Sequence, residues 1–264
     1  MDFRLENKRV LVTGSTGGIG EGIAKRFAQE GATVIINGRR PIEAKRVASE
    51  IHEAGGQALV AVGDVTIDED VARIVELAQS EMGGIDILVN NAASGEHQND
   101  METPAAGWLD SYNANVLSMV RLIQQLLPPM KERGWGRIIN ISSPTGVNPS
   151  PVMGVYSTTK AVVNNLTVTL AQAMSEDGVT INTVSPGAIL TPPMVEMGLA
   201  QGMGTTVEEV QEAFNKMMGS EAPFSRMGSV DEVANVVVFL ASPLASYVHG
   251  ANIRVDGGWV ATVN

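Results

Sequence analysis

Short runs of apolar residues alternate with longer helical patterns along almost the whole chain. The apolar runs contain few polar positions, so they predict strands that are buried on both faces. Buried strands that alternate with helices predict a doubly wound parallel sheet, with helices packed on both of its faces. The predicted strands are residues 9–12, 33–37, 58–62, 85–90, 137–141, 180–184 and 252–255. The sequence therefore predicts an α/β fold with about seven strands.

The sequence shows no division into several domains. No stretch rich in proline, glycine and serine, no block of like charges and no internal repeat interrupts it. A length of 264 residues fits one large α/β domain. We therefore predict a single domain over residues 1–264.

The charge and the cysteine content exclude several classes of function. The net charge is −11, from 18 Lys and Arg against 29 Asp and Glu, which disfavours nucleic acids and anionic membranes as partners. The chain has no cysteine, which excludes disulfides, thiol nucleophiles and cysteine-ligated metals. Its start is too charged for a signal peptide, and no run of about 18 apolar residues predicts a membrane span. We expect a cytoplasmic protein.

A glycine-rich turn connects the first predicted strand to the first predicted helix. Residues 13–20 read Thr-Gly-Ser-Thr-Gly-Gly-Ile-Gly. Such a turn directs unpaired backbone N–H groups and the positive end of a helix dipole at one point, which favours a phosphate. Glycine is needed where a pyrophosphate approaches the backbone closely. The turn thus indicates a dinucleotide site, although by itself it is also compatible with a plain connection.

The end of the second strand indicates which dinucleotide binds. In dinucleotide folds an acidic residue near this point binds the adenosine ribose and selects NAD. Here Gly38 stands at that place and Arg39 follows, and a guanidinium can bind a 2′-phosphate with two hydrogen bonds. We favour NADP(H) over NAD(H). The alternative is that Arg39 and Arg40 are ordinary solvated charges.

Polar residues also follow the third and fourth strands. Asp64 could accept a hydrogen bond from the adenine amino group while Val65 lies under the ring, or Asp64 could simply begin a turn. Asn91 and Ala92 follow the fourth strand, where an asparagine can brace the neighbouring strand ends and a small residue leaves room for the cofactor. An Asx turn is the alternative for Asn91.

The fifth strand leads to the candidate catalytic residues. Ser143 ends this strand, and Tyr156 and Lys160 stand one helical turn apart thirteen residues later. A free phenol has a pKa of about 10, and we expect the Lys160 ammonium to lower it toward the working range. Lys160 could also hold the nicotinamide ribose, while Ser143 would orient the oxygen of the substrate.

These motifs, in this order, resemble those of the short-chain dehydrogenase/reductase family, in its branch of single-domain enzymes with Rossmann architecture. The resemblance runs from Lys8 to Trp259 and includes the glycine-rich turn, Asn-Asn-Ala at 90–92, the serine and Tyr-x-x-x-Lys. It implies hydride transfer between a nicotinamide cofactor and a secondary alcohol or ketone, without a metal. The implied catalytic residues are Asn115, which orders a water that relays protons to Lys160, and Ser143, Tyr156 and Lys160.

The turn, the strand ends and the resemblance together also assign binding residues. Thr191, in Pro-Gly-x-x-x-Thr at 186–191, would contact the nicotinamide carboxamide. The predicted substrate contacts are Ser143, Thr145, Met153 and Tyr156. The predicted cofactor contacts are Gly14, Ser15, Thr16, Gly18, Ile19, Gly20, Arg39, Asp64, Val65, Asn91, Ala92, Tyr156, Lys160, Pro186, Gly187, Ile189 and Thr191.

The resemblance also implies a substrate lid at about residues 188–224. Gly198, Gly202 and Gly204 suggest that this segment is mobile. It is rich in methionine, which favours an apolar or bulky substrate, although these side chains could equally pack the lid onto the domain. The methionines are Met194, Met197, Met203, Met217 and Met218.

Two positions leave questions for the structure. Ala93 replaces the glycine of the family's Asn-Asn-Ala-Gly, and we expect a locally shifted loop there if the position requires a positive φ. His97 follows the fourth strand and could line the rim of the pocket, although a plain surface loop is the simpler interpretation.

Three alternative functions remain open at this point. A 3-oxoacyl-carrier-protein reductase would need a basic docking patch; Lys131 and Arg133 keep part of it, but residues 175–177 read Ser-Glu-Asp and would repel an acidic carrier. A non-catalytic NADP-binding regulator is disfavoured by the intact catalytic set. A sugar-nucleotide epimerase or dehydratase would need a different glycine spacing and a further domain.

The resemblance finally predicts a homotetramer. The Asn115-bearing helix and the helix after Tyr156 usually form one interface in this family, and the C-terminal strand forms a second. Apolar positions on the two helices are compatible with this assembly but could equally lie in the core. They are Leu122, Leu126, Val162 and Leu166.

Overall fold

The computed structural model describes residues 2–94, 102–174, 178–218 and 223–262. Its strands are β1 (Arg9–Val12), β2 (Thr33–Gly38), β3 (Gln57–Val62), β4 (Ile87–Asn90), β5 (Gly136–Ile141), β6 (Val179–Pro186), β7 (Ile189–Leu190), β8 (Gly228–Ser229) and β9 (Asn252–Val255). Its α-helices are α1 (Gly18–Gln29), α2 (Pro41–Glu53), α3 (Asp68–Met82), α4 (Ala105–Tyr112), α5 (Ser118–Glu132), α6 (Gly154–Ala173), α7 (Pro192–Ala200), α8 (Val207–Met218) and α9 (Val230–Ala241).

Seven strands form one parallel sheet in the order β3-β2-β1-β4-β5-β6-β9. The strand order reverses between β1 and β4, and ligands of such sheets bind outside the carboxyl ends of the strands at this point. The predicted α/β, Rossmann-type, doubly wound fold is confirmed. None of the described helices is both long and apolar enough to cross a membrane.

Two apolar cores lie on opposite faces of the sheet. On one face, α1, α2 and α9 pack through residues such as Phe27 and Val237; on the other, α3, α5 and α6 pack through residues such as Ile74 and Val163. Alternate residues of the strands contribute to the two cores, which is why the strands read as continuous apolar runs. Leu122 and Leu126 are buried in the second core, so they are not exposed interface residues.

The long helical stretch after β4 differs from its prediction. The sequence over residues 104–130 predicts one long helical stretch that breaks near Pro128 and Pro129. Instead, a five-residue π-helix (Asn113–Leu117) separates α4 from α5, and α5 continues through both prolines to Glu132. Leu126 and Met130 stay buried on either side of the prolines, and their packing offsets the hydrogen bonds that proline cannot donate.

The segment predicted as a lid, at about residues 188–224, contains β7, α7 and α8, and β8 follows it. The two helices share a small core of their own around Val210, Phe214 and Met227, and Met194 and Met203 pack against it. These two methionines therefore serve the packing of the segment, which was the simpler of their two interpretations. Met197 and Met217 are exposed. The side chain of Met218 lies outside the described part of the chain.

Two of the glycines in this segment are packing positions. A Cβ on Gly198 would overlap Cγ1 of Val210, and one on Gly204 would lie 2.7 Å from Cβ of Glu209. Only a residue without a side chain therefore lets α7 and α8 approach each other at these points. Gly202, with φ +72 and no atom near its Cβ position, is free of such contacts.

Candidate active site

The glycine-rich turn packs directly against the end of β4. Gly14 adopts φ +63, and a Cβ on it would lie 2.9 Å from Cα of Ala92. A Cβ on Gly20 would overlap Nδ2 of Asn91 and lie 2.5 Å from the carbonyl oxygen of Gly14. Helix α1 begins at Gly18, and no side chain caps its first N–H groups. These free N–H groups, beside a backbone with no Cβ in the way, fit a cofactor pyrophosphate.

Replacing Gly20 by alanine is expected to destabilise the protein, because the new methyl group has no room between Asn91 and Gly14. We expect a loss of roughly 1–3 kcal/mol, or a fall in Tm of about 3–10 °C. Gly17→Ala is the matched control within the same turn, since Gly17 has φ 177 and its nearest neighbouring atom would be 3.9 Å from the Cβ. Equal Tm values for the two variants by thermal unfolding would contradict this prediction.

Ser15 connects the glycine-rich turn to β2 through hydrogen bonds. Its side chain is buried, its N–H donates to the carbonyl of Asn37 at 2.8 Å, and its hydroxyl donates to the carbonyl of Val12 at 2.7 Å. The same hydroxyl accepts from the N–H of Asn37 at 2.9 Å. Ser15 therefore has a structural role in the turn, and its contact with the cofactor stays a prediction.

Asn91 braces the turn from the other side. Its Nδ2 donates to the carbonyls of Thr13 at 2.9 Å and Gly14 at 3.2 Å. The N–H groups of Asn91 and Ala92 both donate to the hydroxyl of Thr13, at 2.9 and 3.0 Å. Ala93 does not have a positive φ, since the residues other than glycine that do, in the described part of the chain, are Arg4, Asn7 and Ser225. The expected shift of the loop at Ala93 stays a prediction.

A groove of about 710 Å³ lies at the ends of β2, β3 and β4. Asp64 is held in it by Thr66, whose N–H and hydroxyl donate to Oδ1 at 2.9 and 2.7 Å. Nη1 of Arg39 lies 3.7 Å from Oδ2 of Asp64, and its side chain is 75% exposed. Of the predicted cofactor residues, this groove brings together Gly14, Thr16, Arg39, Asp64, Val65, Asn91 and Ala92.

From the sequence alone, Arg40 is indicated only as an ordinary solvated charge. In the structure it lines the same groove, and its Nη2 would be 3.9 Å from a Cβ on Gly17. Its guanidinium therefore lies over the glycine-rich turn, on the side of Arg39. The only signal in the sequence was its position next to Arg39.

The end of β6 supplies the remaining predicted cofactor residues. The N–H of Gly187, which follows Pro186, donates to the carbonyl of Val255 at 2.9 Å and so continues the pairing with β9. Ile189 is buried in β7, and Thr191 precedes α7. The methyl group of Thr191 would be 3.8 Å from a Cβ on Gly18, so Thr191 lies beside the first turn of α1.

Ser143 and Tyr156 form a hydrogen-bonded pair between the end of β5 and the first turn of α6. Thr145 orients Ser143: its N–H and its hydroxyl donate to Oγ of Ser143 at 3.2 and 3.0 Å. Burial raises the pKa of Tyr156 above its ordinary value, and the hydrogen bond to Ser143 offsets part of this. Met153, half-buried, immediately precedes α6 beside this pair.

Lys160 is buried beneath the ring of Tyr156. Its Nζ lies 5.3 Å from the ring centroid and donates to the carbonyl of Ile141 at 2.8 Å. Burial lowers the pKa of Lys160 to about 8. We expected Lys160 to lower the pKa of Tyr156, but in the structure the main influence on the phenol is its own burial, which raises that pKa. The phenol differs from the expectation because burial disfavours both the phenolate of Tyr156 and the ammonium of Lys160.

Asn115 is buried in the π-helix, and both the oxygen and the nitrogen of its amide bind protein groups. Oδ1 accepts from the N–H of Ser94 at 2.7 Å, and Nδ2 donates to the carbonyl of Ser94 and to the hydroxyl of Thr159, both at 3.0 Å. The amide therefore joins the loop after β4 to α6, while the water that Asn115 is predicted to order stays a prediction. Sequence spacing gave no signal for Ser94 or Thr159 as its partners. π-Helices occur frequently at functional sites.

The chain is similar to known proteins over nearly its whole length. The family model described as "Enoyl-(Acyl carrier protein) reductase" matches residues 14–260. D-beta-hydroxybutyrate dehydrogenase of Rhizobium meliloti (strain 1021) is 36% identical over 259 residues, which cover 96% of this chain and 99% of that protein. The chain belongs to the short-chain dehydrogenase/reductase family.

Solved structures of this family superimpose on the whole fold. L-sorbose reductase from Gluconobacter frateurii, complexed with NADPH and L-sorbose, has a TM-score of 0.92 at 34% identity and covers 100% of both chains. A 7α-hydroxysteroid dehydrogenase complexed with NADH and 7-oxo glycochenodeoxycholic acid has a TM-score of 0.84 at 32% identity and covers 100% of this chain and 98% of its own. The predicted reaction class, a nicotinamide-dependent oxidoreductase of secondary alcohols and ketones, is confirmed.

Some predictions for this short-chain dehydrogenase/reductase remain untested. His97 and residues 175–177 lie outside the described part of the chain. Among the residues that the structure does describe, no three His, Cys, Asp or Glu side chains are grouped as metal ligands. A reaction without a metal therefore stays a prediction.

The low pKa of Lys160 leads to a prediction about stability. An unfolded lysine titrates near pH 10.4, so above about pH 8 the unfolded chain binds a proton that the folded protein has released, and the free energy of unfolding rises with pH. Between pH 7 and 9.5 we expect wild type to gain roughly 2 kcal/mol relative to Lys160→Met. Urea unfolding of both proteins at the two pH values measures this gain. An unchanged difference between them would contradict the assigned burial of the charge.

Proposed function

We propose that this protein is a carbonyl reductase that prefers NADP(H) and acts on an apolar or bulky ketone or the corresponding secondary alcohol. The observation that carries the proposal is the arrangement of Ser143, Tyr156 and Lys160 at the carboxyl end of the sheet, beside the glycine-rich turn. The family's known cofactors and the uncapped start of α1 support a nicotinamide dinucleotide.

The proposed mechanism assigns one task to each side chain. The cofactor, when bound, supplies the hydride that reduces the carbonyl carbon. Tyr156, whose raised pKa keeps the phenol protonated near neutral pH, donates its proton to the carbonyl oxygen as negative charge develops there. Ser143, oriented by Thr145, donates a hydrogen bond to the same oxygen. In the oxidation direction the proton moves from the alcohol to Tyr156.

Lys160 and Asn115 are buried and assist Tyr156 and Ser143 without contacting the carbonyl group of the substrate. With a pKa of about 8, Lys160 exchanges its proton close to physiological pH and can return a proton toward Tyr156 after each reduction. Asn115 holds the loop after β4 against α6 through Ser94 and Thr159, so we assign it a positioning role through its amide.

The end of β2 supports the preference for NADP(H). Gly38 presents no carboxylate to repel a 2′-phosphate, and Arg39 and Arg40 both line the groove beside it. NAD(H) is the alternative, because the related hydroxysteroid dehydrogenase was solved with NADH. In that case the two arginines are solvated charges.

The substrate side of the site supports an apolar ligand. Val152, exposed, and Met153, half-buried, precede α6 next to Tyr156, and no Arg or Lys lies between residues 186 and 211 to bind a substrate anion. The proposed lid, residues 188–224, packs through its own core and is joined to the body by the short β7–β8 pairing. Its closure over the substrate is part of the proposal.

A 3-oxoacyl-carrier-protein reductase remains an alternative. Arg133 would belong to the carrier-binding patch, but its Nη2 donates to the carbonyl of Ile85 at 2.5 Å and lies 3.8 Å from Asp86. A side chain bound in this way is less available to an acidic carrier, which disfavours this alternative. A non-catalytic NADP-binding regulator is the alternative from another class.

A homotetramer and a cytoplasmic location complete the proposal. Since Leu122 and Leu126 are buried, the interface would use exposed apolar residues of α4 and the π-helix, with the half-buried Val162 and Leu166 of α6 beside them. The exposed residues are Trp108, Leu109, Tyr112 and Leu117. Light scattering that shows a monomer at micromolar concentration would contradict the tetramer.

The test of the proposed function is the oxidation of NADPH and, separately, of NADH in the presence of carbonyl compounds. The panel covers small and aromatic ketones, steroid ketones, ketoses and 3-oxoacyl thioesters. We expect turnover of at least one apolar ketone and a higher kcat/KM with NADPH. A preference for NADH would overturn the assignment of Arg39 and Arg40. Tight cofactor binding without turnover of any compound would favour the regulator.

A further inference from the structure

Thr16 and Gly38 face each other where the glycine-rich turn meets the end of β2. A Cβ on Gly38 would lie 2.6 Å from Cγ2 of Thr16, 3.0 Å from its Oγ1 and 3.4 Å from its Cβ. Both residues line the 710 Å³ groove that also contains Arg39 and Arg40. Thr16 is buried, and its side chain lies against Gly38.

The obstacle to a side chain at position 38 is this contact and not the backbone. Gly38 is not among the glycines with positive φ, so its conformation suits any L-residue. The methyl and the hydroxyl of Thr16 both lie near the Cβ position, so every staggered χ1 rotation leaves at least one of them there. With alanine at position 16, no contact of the Cβ on residue 38 would be shorter than 3.4 Å, which is an ordinary van der Waals distance.

Position 38 is where a carboxylate would determine the cofactor. At the end of this strand, an Asp or Glu hydrogen-bonds the ribose hydroxyls of NAD and repels the 2′-phosphate of NADP. Because Thr16 fills the space that such a side chain needs, it keeps a carboxylate away from position 38 itself. Arg39 and Arg40 then line the groove with Asp64, 3.7 Å from Arg39, and without a further carboxylate at the end of β2.

We infer that Thr16 is a specificity-determining residue, which acts by packing against Gly38 and thereby excludes an acidic side chain from the ribose site. The inference rests on the proposed preference for NADP(H). Arg39 and Arg40 are then not the sole determinants of the cofactor preference. A change from NADP(H) to NAD(H) requires positions 16 and 38 to change together.

The experiment compares wild type with Thr16→Ala, Gly38→Asp and the double variant. Calorimetric binding of NADPH and of NADH, and the Tm without cofactor, are measured for each protein. For Gly38→Asp alone we expect a fall in Tm of roughly 3–10 °C and weak binding of both cofactors, because the aspartate collides with Thr16. For the double variant we expect most of this Tm loss to be recovered, and a Kd for NADH about tenfold lower than that of Gly38→Asp.

The double variant is also expected to bind NADPH about 100-fold more weakly than wild type, since the new carboxylate repels the 2′-phosphate. Thr16→Ala alone keeps the wild-type preference. Thr16→Val in the Gly38→Asp background is the control, because valine keeps the volume of threonine and should not restore the Tm or the binding of NADH.

The inference is overturned if the effects of the substitutions at positions 16 and 38 are independent of each other. If Gly38→Asp alone keeps the wild-type Tm and binds NADH as tightly as the double variant does, Thr16 is no barrier. This result is distinct from a failure of the proposed cofactor preference, which would be seen in wild type as equal binding of NADH and NADPH. The coupling between positions 16 and 38 is measured by the double-mutant cycle in either case.

Discussion

Replacing Tyr156 by phenylalanine is expected to lower kcat for ketone reduction by about 10³-fold, because the variant has no proton to donate to the developing alkoxide. The ring that packs over Lys160 is retained, so the fold and the binding of the cofactor should change little. The loss should therefore fall on kcat and leave the Kd for the cofactor within a few-fold of wild type. Stopped-flow or steady-state oxidation of NADPH, together with calorimetric binding, separates the two effects.

The control for this variant is Tyr247→Phe. Tyr247 is fully exposed and lies between α9 and β9, and it is not one of the residues of the candidate active site. Its replacement tests whether loss of any tyrosine hydroxyl alters the assay, and we expect the wild-type rate. A Tyr156→Phe protein that keeps more than about a tenth of wild-type kcat would show that another group donates the proton.

Replacing Lys160 by methionine is expected to have the second largest effect on activity, a fall in kcat of about 100-fold. Methionine approximates the apolar part of the lysine side chain but leaves the carbonyl of Ile141 without the ammonium that donates to it at 2.8 Å. It also removes the group that exchanges protons near pH 8 beneath the ring of Tyr156. The change of kcat with pH near pH 8 should therefore disappear in this variant. If Lys160 had only a structural role, the shape of the pH profile would stay the same.

Two further variants complete this test. Lys216→Met changes an exposed lysine that pairs with Glu212 on α8, and it should leave both kcat and its pH profile unchanged. Lys160→Arg keeps a positive charge but adds volume to a buried site and cannot release its proton, so we expect it to restore little activity. Full activity of Lys160→Met with an unaltered pH profile would contradict the proton-exchange role.

The sequence by itself was sufficient for the seven strands of the main sheet and for their order along the chain. Runs such as 9–12 and 33–37 are apolar at consecutive positions, and this is a local property of a strand that is buried on both faces. The glycines at positions 14 and 20 already indicated that another part of the backbone approaches the turn closely, and this part is the end of β4. The spacing of Tyr156 and Lys160 likewise placed both on one face of a helix before any contact was known.

The tertiary structure decided how these residues act. Asn115 was a candidate from the sequence, but its partners Ser94 and Thr159 lie 21 and 44 positions away, and only the fold brings them together. The π-helix that carries Asn115 was missed, because no residue pattern distinguishes it from the α-helices on either side.

Burial and volume were also beyond the sequence. The directions of the pKa shifts of Tyr156 and Lys160 depend on how much solvent the surrounding elements exclude, which no spacing encodes. The contact between Thr16 and Gly38 depends on how closely the turn approaches β2. Local sequence thus determined which strands and helices form and which residue types stand at their ends. Desolvation and steric exclusion between residues distant in the chain were set only when the sheet assembled, because both depend on all the atoms that surround a group.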